Sequence, residues 1–323
     1  MLYKRMQSIS LGLAAVAIFA GTFPATKLVL DIYTPLHTTC LRASCASLFA
    51  IMYLIFLNVF GRIMNKDKKI LFPSTFKFTE IRELFFVGVM LVFCFPGAIA
   101  FALAEVSSSY SAIVLAMLPL FLSAFAVILA KERPTTLFWI CSFIAAILVI
   151  ILMVTTYLSG DNATNYNNEN VLLGNFWLII ACICAAVGYT KSASLNSRMS
   201  GFTVISWGLC LTSPISFLTT LLLWPNEFSV LDAIHHNSSF WGVVYLGLFS
   251  MFVGNCLWSI ALSRGGIAKI SQLQFLQPFL TLFISFWLLS DIITNDMIIF
   301  AFSVSLAVII GQRQRFIRTI QHS

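Results

Sequence analysis

Apolar residues run along this chain in blocks of about 18 to 25, separated by short polar breaks. That is the length a helix needs to cross roughly 30 Å of hydrocarbon at about 1.5 Å per residue. The blocks lie at 8–30, 35–60, 83–104, 107–130, 136–158, 172–192, 203–224, 240–263, 267–289 and 294–311. The pattern predicts an all-α polytopic membrane protein of about ten transmembrane helices. Within the first block, Ala17-Ile18-Phe19-Ala20 has the small-residue spacing of a signal-peptide cleavage site. The apolar run continues past Ala20, however, and cleavage would destroy the internal repeat described below, so this block is read as a helix.

Composition sharpens the picture. Hydrophobic residues make up 59% of the 323 and charged residues 10%, more apolar surface than a soluble core can absorb. The 19 Lys and Arg test the topology through the positive-inside bias. With the amino terminus in the cytosol, 17 of them fall on cytosolic segments, Lys27 and Arg42 lie within spans, and the outer loops hold none. Those loops carry Asp31, Glu105, Asp161, Glu169, Glu227, Asp232, Asp291 and Asp296 instead. An even number of spans with both termini cytosolic follows, and the net charge of +7 reflects topology, with no nucleic acid to be invoked. The basic tail, 312–323, is expected on the anionic inner leaflet. Cysteines spread through the spans and scattered histidines offer no metal or haem spacing, and no cofactor is expected. Two sequons, at Asn162 and Asn237, fall in outer loops.

Sliding the chain by 159 residues lays Pro119 on Pro278 and Glu132 on Asp291 without a gap, so that PLFLSAFAVILAKE faces PFLTLFISFWLLSD. The first repeat covers 1–157 and the second 172–311, joined by a polar outer loop at 158–171. Five spans per half is odd, so the second copy enters the bilayer from the opposite side. Inverted repeats of this kind build alternating gates around one central site in secondary transporters. Pro119 and Pro278 each remove a backbone bond within a span; each is either a packing kink or part of a cavity wall. Pro134 suits the first position of the fifth span, making KERP a tight turn.

An ionisable residue at the centre of a span costs about 2.5 to 3.5 kcal/mol on insertion scales, and only Lys27 and Arg42 raise that question. Lys27 is close enough to the outer end of its span to snorkel. Arg42 lies deeper, and either ties helices together or, like Lys27 in the alternative reading, anchors a carboxylate or phosphate on a cargo. No Asp or Glu falls near mid-depth, which disfavours proton-coupled export of lipophilic cations and suits a zwitterionic or anionic metabolite. The ninth span carries Ser271, Gln274, Gln277 and Thr281 at intervals of three or four, a polar stripe facing either a wet cavity or a neighbouring helix. Ser108, Tyr110 and Ser111 are candidates on the fourth span.

Together the stretches GTFPATKLVL, PLHTTCLRASCASLFAI, LPLFLSAFAVILAKERPT, WGVVYLGLFSMFVGNCLWSIALSRGGIAKIS and QFLQPFLTLFISFWLL resemble EamA-type members of the drug/metabolite transporter superfamily over nearly the whole chain. Departures are Ser290-Asp291 where an acid ends the ninth span, and Cys141 and Ala301 where glycines are expected. The resemblance implies a cavity core of the third, fourth, eighth and ninth helices. It adds Asn255, Trp258 and Tyr189 to the candidate substrate contacts, although each aromatic also suits a headgroup belt or packing. It also implies transport of small polar metabolites through the cell membrane, most plainly export of amino acids or related compounds. Uptake or exchange of a nucleotide-like or phosphorylated metabolite is the alternative. Small-molecule substrate and lipid bilayer are the expected partners, and a homodimer is possible. An embedded enzyme or receptor is the rival class, but neither a nucleophile with its base nor a phosphate loop is visible.

Overall fold

The computed structural model describes residues 2–63, 78–118, 120–122, 124–125, 136–159, 168–195, 199–224, 237–265 and 270–320, and these contain helices and no strand. Among the described residues the helices form ten apolar segments, six of them long and apolar enough to cross a membrane. α1 runs Leu2–Ala20 and resumes as Thr22–Leu30 after Gly21; α2 is Pro35–Ile63. α3 is built from Phe78–Gly88, a π-helical segment Val89–Cys94 and Phe95–Glu105. α4 opens as Ser108–Leu115, followed by α5 (Thr136–Ser159), α6 (Asn168–Leu195) and α7 (Gly201–Leu222). α8 joins Asn237–Val244, a π-helical Tyr245–Gly254 and Asn255–Gly265. α9 is a 3-10 turn Ser271–Leu276 leading into Gln277–Leu289, and α10 is Asn295–Ile320.

Local chemistry sets several of these starts. Pro35 opens α2, where a missing N–H costs nothing. The hydroxyls of Ser107 and Ser200 cap α4 and α7 by accepting from the amides of Tyr110 and Thr203, both at 3.2 Å. Helix ends overrun the apolar blocks: α3 starts at Phe78, α6 reaches back to Asn168 within the polar connector, and α10 carries its helix through Ile320 into the basic tail. Hydropathy marks only the lipid-buried length of a helix, while backbone bonding continues into the interfacial layer. The KERP turn, Glu132 and Asn162 lie outside the described residues, as does Pro119.

The bundle is apolar outside and studded with small and hydroxyl residues inside, as lipid demands. Phe143 and Trp287 stand 72% and 81% exposed on its flank, whereas Ser47, Ser108, Ser111, Thr212 and Thr281 are fully buried. Helices tie together through those hydroxyls: Ser47 donates to the carbonyl of Leu209 (3.1 Å) and Ser44 pairs with Thr220 (3.0 Å) across α2 and α7. α3 and α7 cross backbone to backbone at Gly88 and Gly208, where a Cβ on Gly88 would come within 2.6 Å of the Gly208 carbonyl oxygen.

The irregular segments repeat with the sequence. Shifted by 159 residues, the π segment of α3 falls on 248–253, inside the π segment of α8. Likewise the 3-10 turn of α9 falls on 112–117, where α4 gives way to a turn at Ala116 and Met117. Pro278 then takes the second position of an α-helical segment, so the discontinuity comes just before the proline and the ring costs no intrahelical bond. Two inverted five-helix halves thus carry matched interruptions.

Candidate functional site: a central cavity between the halves

The interruptions converge on one place. Leu91 is near the middle of α3 and Ser250 near the middle of α8, and both line a cavity at the centre of the bundle. The cavity offers about 50 Å³ to the centres of water molecules, room for roughly three to five of them. α1 supplies Phe19, Thr22 and Phe23, and α2 supplies Arg42; α3 gives Leu91, Phe95, Pro96 and Ile99, while α4 gives Ala112, Leu115, Ala116 and Leu118. From the second half come Tyr189 on α6, Ser250, Met251 and Asn255 on α8, and Gln274, Gln277 and Pro278 on α9.

Arg42 dominates the electrostatics. It is 4% exposed and remains a cation at any physiological pH. One terminal nitrogen, Nη2, donates to the Ser250 hydroxyl at 3.3 Å, and Ser250 in turn shares a 2.8 Å hydrogen bond with Thr22. Nε and Nη1 are buried and meet no acceptor among the described residues, and Gln274 Oε1 is a buried acceptor that meets no donor. Beside them, Tyr189 donates to Asn255 Oδ1 at 3.1 Å, and the Asn255 amide donates to the Met251 carbonyl at 2.9 Å. No Asp or Glu is among the described residues of the wall. The arrangement is a fixed positive charge with spare donors, one spare acceptor and an otherwise largely apolar surround, which suits a small anion carrying its own donor.

Of the residues singled out in the sequence, Arg42, Tyr189, Asn255, Gln274, Gln277 and Pro278 meet in this cavity. The other singled-out residues whose side chains are described lie elsewhere. The Lys27 ammonium donates to the carbonyls of Leu103 (2.6 Å) and Val106 (3.3 Å) at the end of α3, and does not line the cavity. Tyr110 donates to Asn175 Oδ1 at 2.7 Å, tying α4 to α6, and the Ser111 hydroxyl bonds back to the Ser107 carbonyl at 2.9 Å. Trp258 is buried edge-on behind Phe19, their ring centroids 6.2 Å apart. Thr281 donates to the Ala20 carbonyl at 3.0 Å, so the polar stripe of α9 divides between the cavity and a helix contact. The side chain of Ser271 lies outside the described ones.

Sequence reasoning missed Thr22, Ser250 and the apolar wall of α3 and α4. For Ser250 and that apolar wall the repeat held a signal: the shift of 159 carries Ser250, Asn255, Gln274 and Gln277 onto Leu91, Pro96, Leu115 and Leu118. It also passed over the role of Asp291. Ser290 ends α9 in the left-handed region at φ 54°, a conformation uncommon without glycine. Asp291 then accepts from the Ser108 hydroxyl (3.1 Å), the Ser109 hydroxyl (3.0 Å) and the Ser109 amide (3.3 Å) at the start of α4. Ser108 also hydrogen-bonds Ser285. These contacts, with Lys27 of α1 bonded to the end of α3, lie at one end of the bundle; toward the other, Lys191 on α6 pairs with Glu83 on α3 at 2.6 Å.

Two oppositely inserted halves around a cavity at the centre of the span define a membrane transporter. More particularly, the chain belongs to the EamA-like transporter family, whose profile matches residues 6–155 and again residues 172–311, one copy in each half. It is 30% identical over 300 residues to a Bacillus subtilis (strain 168) protein described as the uncharacterized transporter YdeK, covering 92% of this chain and 93% of that one. A crystal structure of another protein, 15% identical, superposes with a TM-score of 0.64 over 95% of this chain and 96% of its own, and shares the fold.

Proposed function

We propose that this protein moves small carboxylate-bearing metabolites, amino acids foremost, out of the cell by alternating access, with both termini in the cytosol. The observation that carries the reading is Arg42, a buried cation in the central cavity that finds, among the described residues, no acceptor for two of its nitrogens and no acid opposite. A charge left in that state is costly unless a ligand completes it. The small cavity supports an amino-acid-sized cargo over a nucleotide. A phosphate clamp would want a second cation beside Arg42, and Lys27 is engaged on carbonyls outside the cavity wall. The distribution of basic residues supports the orientation, and the family resemblance supports the outward direction.

The test is counterflow in proteoliposomes with radiolabelled amino acids set against nucleotides and against amino-acid amides, which lack the carboxylate. Amino acids should exchange and their amides should not. Arg42→Met should remove transport, since losing a buried charge partner costs about 2 to 5 kcal/mol of binding. The same variant without ligand should unfold at an equal or higher temperature, because an unpaired buried charge has been replaced by an apolar chain. Wild-type exchange by Arg42→Met would overturn the reading.

A further inference from the structure

The cavity's two halves are equivalent by sequence and opposite in chemistry. Leu91 and Ser250, Pro96 and Asn255, Leu115 and Gln274, and Leu118 and Gln277 each differ by the repeat shift of 159, and all eight line the same cavity. At every one of these pairs the first half presents an apolar side chain and the second a polar one. The α2 arginine leans toward the polar wall, reaching Ser250 at 3.3 Å. A pathway for a wholly polar solute would have no reason to keep one wall dry, and a pathway for a hydrocarbon would not bury Arg42, Asn255 and Gln274 there. The orphaned groups narrow the ligand further: Arg42 Nε and Nη1 want an acceptor and Gln274 Oε1 wants a donor.

Building on the anion reading above, we infer that the site selects a monocarboxylate with an amino or hydroxyl group beside the carboxylate and an apolar tail, and that Leu91, Pro96, Leu115 and Leu118 set this specificity. The carboxylate takes the free nitrogens of Arg42, the neighbouring N–H or O–H donates to Gln274, and the tail lies along the wall of α3 and α4. A second charge or an amide on the tail would be driven against leucines with no partner there. Because the walls differ, the ligand keeps one orientation while the two halves exchange conformations around it; it need not turn over in transit.

Ligand-induced thermal stabilisation of the purified full chain tests this, since binding to the folded state raises its apparent stability by mass action. The probes are glycine, alanine, 2-aminobutyrate, norvaline and norleucine, with glutamine and glutamate as polar-tailed counterparts and hexanoate as norleucine without its amine. Apparent affinity should rise about fourfold per added methylene until the tail fills the wall, the step expected from burying one CH₂. Glutamine, glutamate and hexanoate should each bind at least tenfold more weakly than norleucine. Leu118→Gln should shift the preference toward glutamine, while Leu118→Met, which keeps an apolar wall, should retain the wild-type order and serve as the control for folding. Equal binding along the series, with Arg42→Met still abolishing it, would overturn this inference and leave the anion reading standing. Failure of every carboxylate to stabilise a folded protein would overturn both.

Discussion

At the scale of single residues, two cations meet opposite solutions. Lys27 lies against the last carbonyls of α3, Leu103 and Val106, where a helix leaves acceptors unsatisfied and carries a partial negative charge. Its role there is to pin α1 to α3 and finish a helix. Arg42 sits among hydroxyls and amides that, among the described residues, leave part of its guanidinium unmatched. Their consequences under mutation should therefore diverge. Lys27→Met should lower stability by about 1 to 2 kcal/mol, the upper range for a charge at a helix terminus. It should leave the affinity for a transported carboxylate unchanged. Thermal unfolding and a binding isotherm on the same preparation check both halves of the statement; a Lys27→Met protein of normal stability with weakened binding would move Lys27 into the substrate path.

At the scale of helices, close approach between backbones explains more than hydrophobicity does. α3 passes α7 at Gly88 and Gly208, and the crossing is unequal. A Cβ on Gly88 would stand 2.6 Å from a carbonyl oxygen, whereas one on Gly208 would stand no nearer than 3.4 Å from its closest neighbour. Gly88→Ala should accordingly destabilise by about 1 to 3 kcal/mol, the usual cost of overpacking, and Gly208→Ala by clearly less; unfolding temperatures in detergent would show the order. This asymmetry could not be read in the sequence, which shows two glycines and says nothing of which one faces a carbonyl. The spans themselves were legible because lipid imposes one length and one composition on any helix that crosses it. The π segments were not, because VMLVFC and YLGLFSMFVG have the same apolar letters as the regular turns around them. The site was half legible. Arg42, Asn255 and the glutamines stand out as polar letters among apolar ones, while the leucines facing them look like any lipid-facing leucine until the fold brings them together.

At the scale of the whole molecule, the contacts near Asp291 tie helices together at one end of the bundle. The clasp joins Asp291, in the segment between α9 and α10, to the first turn of α4 through three hydrogen bonds to a single carboxylate. Alternating access, as proposed above, requires this end to part. A disulfide across it, made by introducing Ser109→Cys with Asp291→Cys and applying a mild oxidant, should stop counterflow, and a reductant should restore it. Each single variant under the same oxidant should continue to transport. Continued transport by the oxidised double variant would mean that this end is not a gate.

The dissimilar walls also bear on ancestry. A progenitor of half this length, pairing with an inverted copy of itself, would have enclosed two identical linings: leucine facing leucine, with nowhere to seat a polar head, or glutamine facing glutamine, with nothing greasy to grip. Only after fusion into one polypeptide could each lobe drift independently, one becoming the bed for a side chain and the other the berth for a charge. If the cargo is the amphiphile inferred above, its two ends are recorded in the divergence of two repeats that began alike.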